Sequence, residues 1–252
     1  MRWLLVSVAV LASCLIPNTG GYQELAPGGF SKPHLENKVL TAAGKITLKS
    51  AANGEVVFGT IFPIHIRETR KEHYIVYCLT AAHVVEDVIP ERAEFYSVPE
   101  KNWEISNLPT LVLTSIKVLY MDRELDVALL KVVSPKFMPV LDISDRLPKF
   151  REKILAAGCP FGEPLVVTEG TAQRKSTIPD RWMATAQVLP GNSGGPVISS
   201  QTGKVLGITT GVFALNNGFG MSYIPYMHEF VPSYLFYEKI ISEIAKDLRE
   251  KR

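Results

Sequence analysis

The sequence predicts an all-β fold finished by one C-terminal helix. From Lys38 onward the apolar residues come in short runs rich in Val, Ile, Thr, Tyr and Phe, a composition that suits pleated, half-buried strands. Gly, Pro, Asn and Asp punctuate those runs and mark turns. Sustained helical spacing of apolar residues comes late, after Val231. Many short strands with turn signals and little helix indicate a sandwich or a pair of barrels.

The elements follow in order. Met1-Arg2 is a short basic start, and Trp3–Ala12 is an apolar stretch of ten residues. That is too short to span a bilayer and suits the core of a secretory signal. Leu11-Ala12-Ser13-Cys14 is similar to a bacterial lipobox, whose cysteine carries the lipid; ordinary signal cleavage near Asn18–Gly21 is the alternative. Residues 1–21 therefore read as a leader that places the chain outside the cytoplasm, and 22–37 as a Gly/Pro-rich tether. Gly54–Phe62, Tyr74–Thr80, Thr110–Tyr120 and Val127–Val133 read as strands of a first half, 38–133. Residues 134–150, with Pro135, Pro139 and Pro148, read as a linker. Ile154–Ala157, Leu165–Thr168, Trp182–Ala186 and a hairpin over Val197–Ile208 belong to a second half, 151–230. Within 231–252, apolar residues recur at 234, 237, 241, 244 and 248, a helical stripe that Ser233 would cap.

The chain has 252 residues and a formal net charge of +2. That length buries a sizeable core without staples, and that charge gives no footing for nucleic-acid binding. The three cysteines cannot all pair with one another. Buried thiols at Cys78 and Cys159 are the simpler expectation, with a disulfide between them as the alternative. His65 and His73 match no metal-ligand spacing.

Gly191-Asn192-Ser193-Gly194-Gly195-Pro196 carries the chemistry. A serine among glycines supplies a hydroxyl on a backbone that can aim N–H groups at one spot, as acyl transfer requires. Upstream, Leu79-Thr80-Ala81-Ala82-His83-Val84-Val85 offers a base, and Leu125-Asp126-Val127-Ala128-Leu129-Leu130 a carboxylate within an apolar run. Gly191-x-Ser193-x-Gly195 also fits a nucleophile elbow. That motif needs a helix after the serine, with the acid and then the histidine downstream. Here Pro196 and a hairpin follow, and His228 precedes Asp247.

The His83, Asp126, Ser193 order is that of chymotrypsin. Together with the Gly158-Cys159-Pro160-Phe161-Gly162 turn, these motifs resemble the trypsin/chymotrypsin-like serine peptidases, and within them the HtrA/Deg branch. The resemblance covers roughly Gly59 to Pro225. It implies two six-stranded antiparallel β-barrels, with Ser193 as nucleophile, His83 as base and Asp126 as its orienting acid. The N–H groups of Gly191 and Ser193 would form the oxyanion hole. Asn192 carries no charge to pair with a new N-terminus, so activation by chain cleavage is not expected. Gln187 would lie near the floor of the P1 pocket, disfavouring Lys and Arg. Thr209, Thr210 and Gly211 would line a wall and pair with an extended substrate. A small to medium apolar P1 residue is expected. The family's PDZ domains have no counterpart within these residues.

The implied function is an extracytoplasmic serine endopeptidase that cuts unfolded or damaged polypeptides without cofactor or metal. Membrane contact is expected only through a lipid on Cys14, and oligomerisation stays open. Alternatives are a catalytically quiet peptide-binding module and a processing peptidase with one target.

Overall fold

The computed structural model describes residues 32–50, 53–69, 73–96, 111–218 and 220–249. The leader, Cys14 included, and most of the expected tether lie outside them. Where description begins, the tether expectation gives way to a helix, α1 (Lys32–Ala42). Leu35, Val39 and Ala42 are buried on it, a spacing that puts all three on one face. Polar neighbours dilute that face, so the stretch reads as a linker from composition alone.

The first half is a sheet of seven strands: β1 (Gly44–Ser50), β2 (Val56–Glu68), β3 (Tyr74–Thr80), β4 (Val88–Phe95), β5 (Leu111–Leu113), β6 (Ile116–Asp122) and β7 (Val127–Ser134). Their spatial order is β5-β4-β1-β2-β3-β7-β6. The expected run Thr110–Tyr120 is thus two strands, which makes seven rather than six. The sheet curls until β4 and β6 come close. β2 spans both wings: its first part, to Ile61, pairs with β1, and from Phe62 its second part pairs with β3, with an irregularity at Pro63/His65. Antiparallel pairing of β3 with β7 sets Thr80 opposite Ala128. The end of β3 and the start of β7 therefore share one edge of the sheet.

The second half is a closed barrel of β8 (Lys153–Gly158), β9 (Val166–Lys175), β10 (Trp182–Ala184), β11 (Pro196–Ser199), β12 (Val205–Asn216) and β13 (Met221–Pro232). The linker is stitched to both halves. Leu141 N–H donates to Pro63 O at 2.9 Å, and Ser144 N–H to Val205 O at 2.8 Å. One apolar core runs from Phe62 and Leu129 through Leu155 and Ile208 to the C-terminal helix. A smaller one fills the second barrel around Trp182, Leu206 and Phe230. Cys78 and Cys159 are buried free thiols, as expected.

The C-terminal helix, α3 (Tyr237–Arg249), starts later than its stripe suggests, because β13 continues to Pro232 and a 3-10 turn covers Ser233–Leu235. Ser233 does not cap α3; its hydroxyl donates to the Ser144 and Val205 carbonyls. The buried face is Ile240 and Ile244, with Phe236 before it, while Ile241 is exposed. Each buried apolar side chain contributes about 1.5–3 kcal/mol. Beside that face the Asp247 carboxylate accepts from Tyr77 Oη at 2.8 Å and pairs with Lys131.

Candidate active site

Three chain segments converge where the two halves meet. The first is α2 (Ala82–Val85), a single turn that follows β3 directly. It buries Ala82, Val84 and Val85 and leaves His83 half-buried. The second is the tight connection from β6 to β7. Asp122 Oδ1 accepts the Glu124 and Leu125 N–H groups, closing a turn. Asp126 then adopts a left-handed φ of 58°, sparsely populated for a residue with a side chain. The carboxylate is thereby aimed at α2. Asp126 Oδ1 accepts the His83 backbone N–H at 2.9 Å, and Oδ2 faces His83 Nδ1 at 2.8 Å. A carboxylate can only accept, so in the neutral ring the proton sits on Nδ1 and Nε2 keeps the lone pair.

The third segment is the Pro190–Gly195 loop. Thr60 on β2 is its anchor. Thr60 N–H donates to Ser193 O at 2.8 Å, and Thr60 Oγ1 donates to Gly191 O at 2.9 Å. The same Oγ1 accepts Cys159 N–H at 2.9 Å, and Thr60 O accepts Thr80 Oγ1. Gly194 (φ 87°) packs so tightly that a Cβ there would lie 2.1 Å from Thr80 Oγ1 and 2.9 Å from Ala81 N. The Ser193-Gly194 backbone therefore lies against the chain that leads into His83. Ser193 itself is half-buried.

Two peptide planes in this loop are fixed from behind. Asn192 N–H closes a turn on Leu189 O at 3.1 Å, with Pro190 and Gly191 at its centre. Gly191 has φ 98°, which glycine adopts readily. Pro190 O accepts Phe161 N–H at 2.7 Å, and Asn192 O accepts Gly195 N–H at 2.9 Å. In a planar trans peptide the C=O and N–H point in opposite directions. The Gly191 and Ser193 N–H groups thus point away from Phe161 and Gly195. Phe161 reaches Pro190 with its own φ at 53°.

The remaining expected site residues are distributed as follows. Gly194 N–H donates to Thr209 O, and Thr209 N–H to Gly195 O. The Thr209 backbone is thus committed to the nucleophile loop. Thr210 is nearly buried, and Gly211 is half-buried. β11 pairs with β12 through Pro196↔Ile208 and stops there. Among the described residues, that edge of β12 carries no paired strand beyond Ile208. Gln187 is exposed, and its carbonyl accepts Thr168 Oγ1 at 2.7 Å. Thr60 acts here without a sequence signal of its own, whereas Thr80 and Phe161 stand within motifs quoted for their neighbours.

Residues 65–208 match the model of the trypsin-like peptidase domain. The chain belongs to that family. The chain is 38% identical over 115 residues to a probable periplasmic serine endoprotease, DegP-like, from Pseudomonas putida strain GB-1. It is 36% identical over 115 residues to the magnetosome formation protease MamE from Paramagnetospirillum magneticum. Each match takes in 42% of this chain, but 24% and 16% of the two relatives. The chain thus spans a minor part of the length of these relatives. The fold is shared with a serine endoprotease from Yersinia pestis at TM-score 0.58 and 21% identity, covering 86% of this chain and 68% of that one. It is shared with an HtrA-type protease, AlgW, solved with a tripeptide, at TM-score 0.60 and 19% identity, covering 83% and 62%.

Proposed function

We propose that this chain is an extracytoplasmic serine endopeptidase working through Ser193, His83 and Asp126. The carrying observation is the double attachment of His83 to Asp126 beside a Ser193 loop bound to Thr60. In this reading Ser193 Oγ attacks the scissile carbonyl while His83 Nε2 takes its proton. The resulting imidazolium is stabilised by Asp126 and returns the proton to the leaving amine. The Gly191 and Ser193 N–H groups receive the oxyanion. Water then attacks the acyl-enzyme by the same route.

The substrate is an extended polypeptide, as in unfolded or damaged protein. Its backbone would add to the edge of β12 near Thr210 and Gly211, where β11 no longer pairs. The location follows from the leader-like residues 1–21 and from relatives named periplasmic. Attachment through a lipid on Cys14 belongs to the same reading. Labelling of the purified chain by a fluorophosphonate, with loss of label and of casein cleavage in Ser193→Ala, is the test. Cleavage at wild-type rate by Ser193→Ala would remove the assignment.

A further inference from the structure

Two segments at the start of the second barrel gather cations. Residues 149–153 and 171–175 run side by side. Arg151 N–H donates to Ala172 O at 2.7 Å, Ala172 N–H donates to Glu152 O at 2.9 Å, and Lys153 stands opposite Thr171. Between them they carry Lys149, Arg151, Lys153, Arg174 and Lys175, all exposed. Their one acid, Glu152, is buried and paired with Arg146. Among the described residues none of these cations makes an ion pair. Of the acids on the flanking chain, Glu169 is already engaged, and Asp145 and Asp180 are exposed. The whole chain has a net charge of only +2, so this is a local concentration of charge and not the general surface. An apolar tip stands among the cations: Phe150 is 69% exposed and Leu147 48%. A phenyl ring held in water between Lys149 and Arg151 adds nothing to the core.

We propose that this face docks on a bilayer containing anionic phospholipids, in addition to any lipid carried by Cys14. Each Lys or Arg near such a surface strengthens attachment roughly fivefold. An aromatic side chain flanked by cations suits the boundary between headgroups and acyl chains. A nucleic acid or an acidic polypeptide would use the charges and leave Phe150 and Leu147 in water. The start of the chain agrees with a bilayer. α1 packs against β9, the strand that carries Arg174 and Lys175, so the leader-bearing segment joins the body at this barrel. The chain between Cys14 and Lys32 can extend roughly 60 Å, so an anchor there leaves the patch free to reach the surface. β8 runs from Lys153 in the patch to Gly158, which packs on Asn192 of the nucleophile loop. The patch and that loop thus lie at opposite ends of β8, roughly 17 Å apart, and docking leaves Ser193 accessible.

The test is co-sedimentation of the purified full-length chain with two kinds of vesicle, phosphatidylcholine alone and an equal mixture of phosphatidylcholine and phosphatidylglycerol. Any lipid on Cys14 contributes equally to both. Wild type is expected to prefer the mixture by roughly tenfold or more, with the preference fading as salt rises. A variant combining Lys149→Gln, Arg151→Gln, Arg174→Gln and Lys175→Gln should lose the preference, with circular dichroism showing that it folds. Phe150→Ser should weaken binding to the mixture severalfold and leave its salt dependence in place. A wild type that binds both vesicles equally would overturn the proposal, whether or not the variants fold. So would a folded glutamine variant that keeps the preference. Patch-dependent binding to duplex DNA or polyglutamate that exceeds binding to the vesicles would assign the patch to another polyanion and overturn it as well. Docking does not depend on Ser193, so a chain that docks but takes no fluorophosphonate removes the peptidase reading and leaves this one standing.

Discussion

Asp126 holds His83 by two atoms of the histidine, the ring Nδ1 and the backbone N–H, with one carboxylate oxygen for each. Ring orientation and helix position are thus fixed by the same group. Asp126→Asn keeps the shape but offers an NH2 where one oxygen stood. If that NH2 faces Nδ1, the ring proton moves to Nε2 and the base is lost. We expect kcat to fall by about 10³–10⁴, as wrong-tautomer variants of such triads do, with little change in KM. Steady-state kinetics on a peptide substrate measures both, and a loss below tenfold would contradict the assigned role.

Thr60 ties the nucleophile loop to the first sheet through its N–H and its hydroxyl. Thr60→Val keeps the branched shape and strips the hydroxyl from Gly191 O and Cys159 N–H. Leaving such groups unsatisfied costs about 1–3 kcal/mol. The expected outcome is a lower urea midpoint together with slower labelling of Ser193. An unchanged labelling rate would mean that Thr60 is a structural anchor alone.

Gly191→Ala probes the turn itself. At φ 98° a Cβ is strained, and it would lie 2.3 Å from Cys159 O and 2.7 Å from Phe161 N. Relief requires the Pro190–Gly191 peptide to turn, carrying the Gly191 N–H off its present direction. Losing one oxyanion donor lowers kcat by about 10²–10³. A variant with native-like circular dichroism and undiminished kcat would remove Gly191 from the proposed hole.

The strands that flank His83 and Asp126 were legible because their sequences are dense in β-branched and aromatic residues and end in turn signals. The motifs were legible because acyl transfer restricts which residues can stand at each place. The anchors were not. Thr60 looks like any strand threonine, and its role arises from contact with residues 131 positions away. Gln187 is exposed, and a spacing fixes where its backbone runs and not which way its side chain turns. The buried polar His228 has no local signature at all. α1 escaped because its apolar face is three residues wide within polar sequence. The extra strand in the first sheet came from a break between Leu113 and Ile116 where the sequence reads as continuous.

Asp247 fastens α3 to the first sheet through Lys131 of β7 and Tyr77 of β3. Burial, with the hydrogen bond to Asp247, raises the Tyr77 hydroxyl well above its ordinary pKa. Asp247→Ala removes the carboxylate that faces a side chain only 8% exposed. Breaking such a buried pair costs about 3–5 kcal/mol. A markedly lower Tm by calorimetry is expected, whereas a shift of a degree or less would mean that the apolar face of α3 carries the docking alone.

His228 gives the fold a defined response to acid. Burial lowers its pKa from 6.5 to about 4, with the Ala186 carbonyl partly opposing the shift. The unfolded chain therefore binds a proton between those values while the folded chain does not. Stability from this group is complete above about pH 6.5 and is lost as pH falls toward 4. At 1.36 kcal/mol per unit the loss amounts to about 3 kcal/mol. Its packed neighbours Ala184, Ala186, Val212 and Phe230 are not ionisable, so no nearby charge offsets the loss. Glu229, the next residue, points to the opposite face of β13; burial raises its carboxyl, which favours the folded chain in acid. Glu152 acts the other way: burial pushes it up, but hydrogen bonds from Arg146, Ser199 and Lys149 outweigh that and hold it low. The difference between wild type and His228→Phe isolates the histidine from both carboxylates. Urea unfolding at steps from pH 7 to 4 should show wild type losing about 3 kcal/mol more than the variant. Parallel curves would mean that His228 accepts its proton without leaving the pocket.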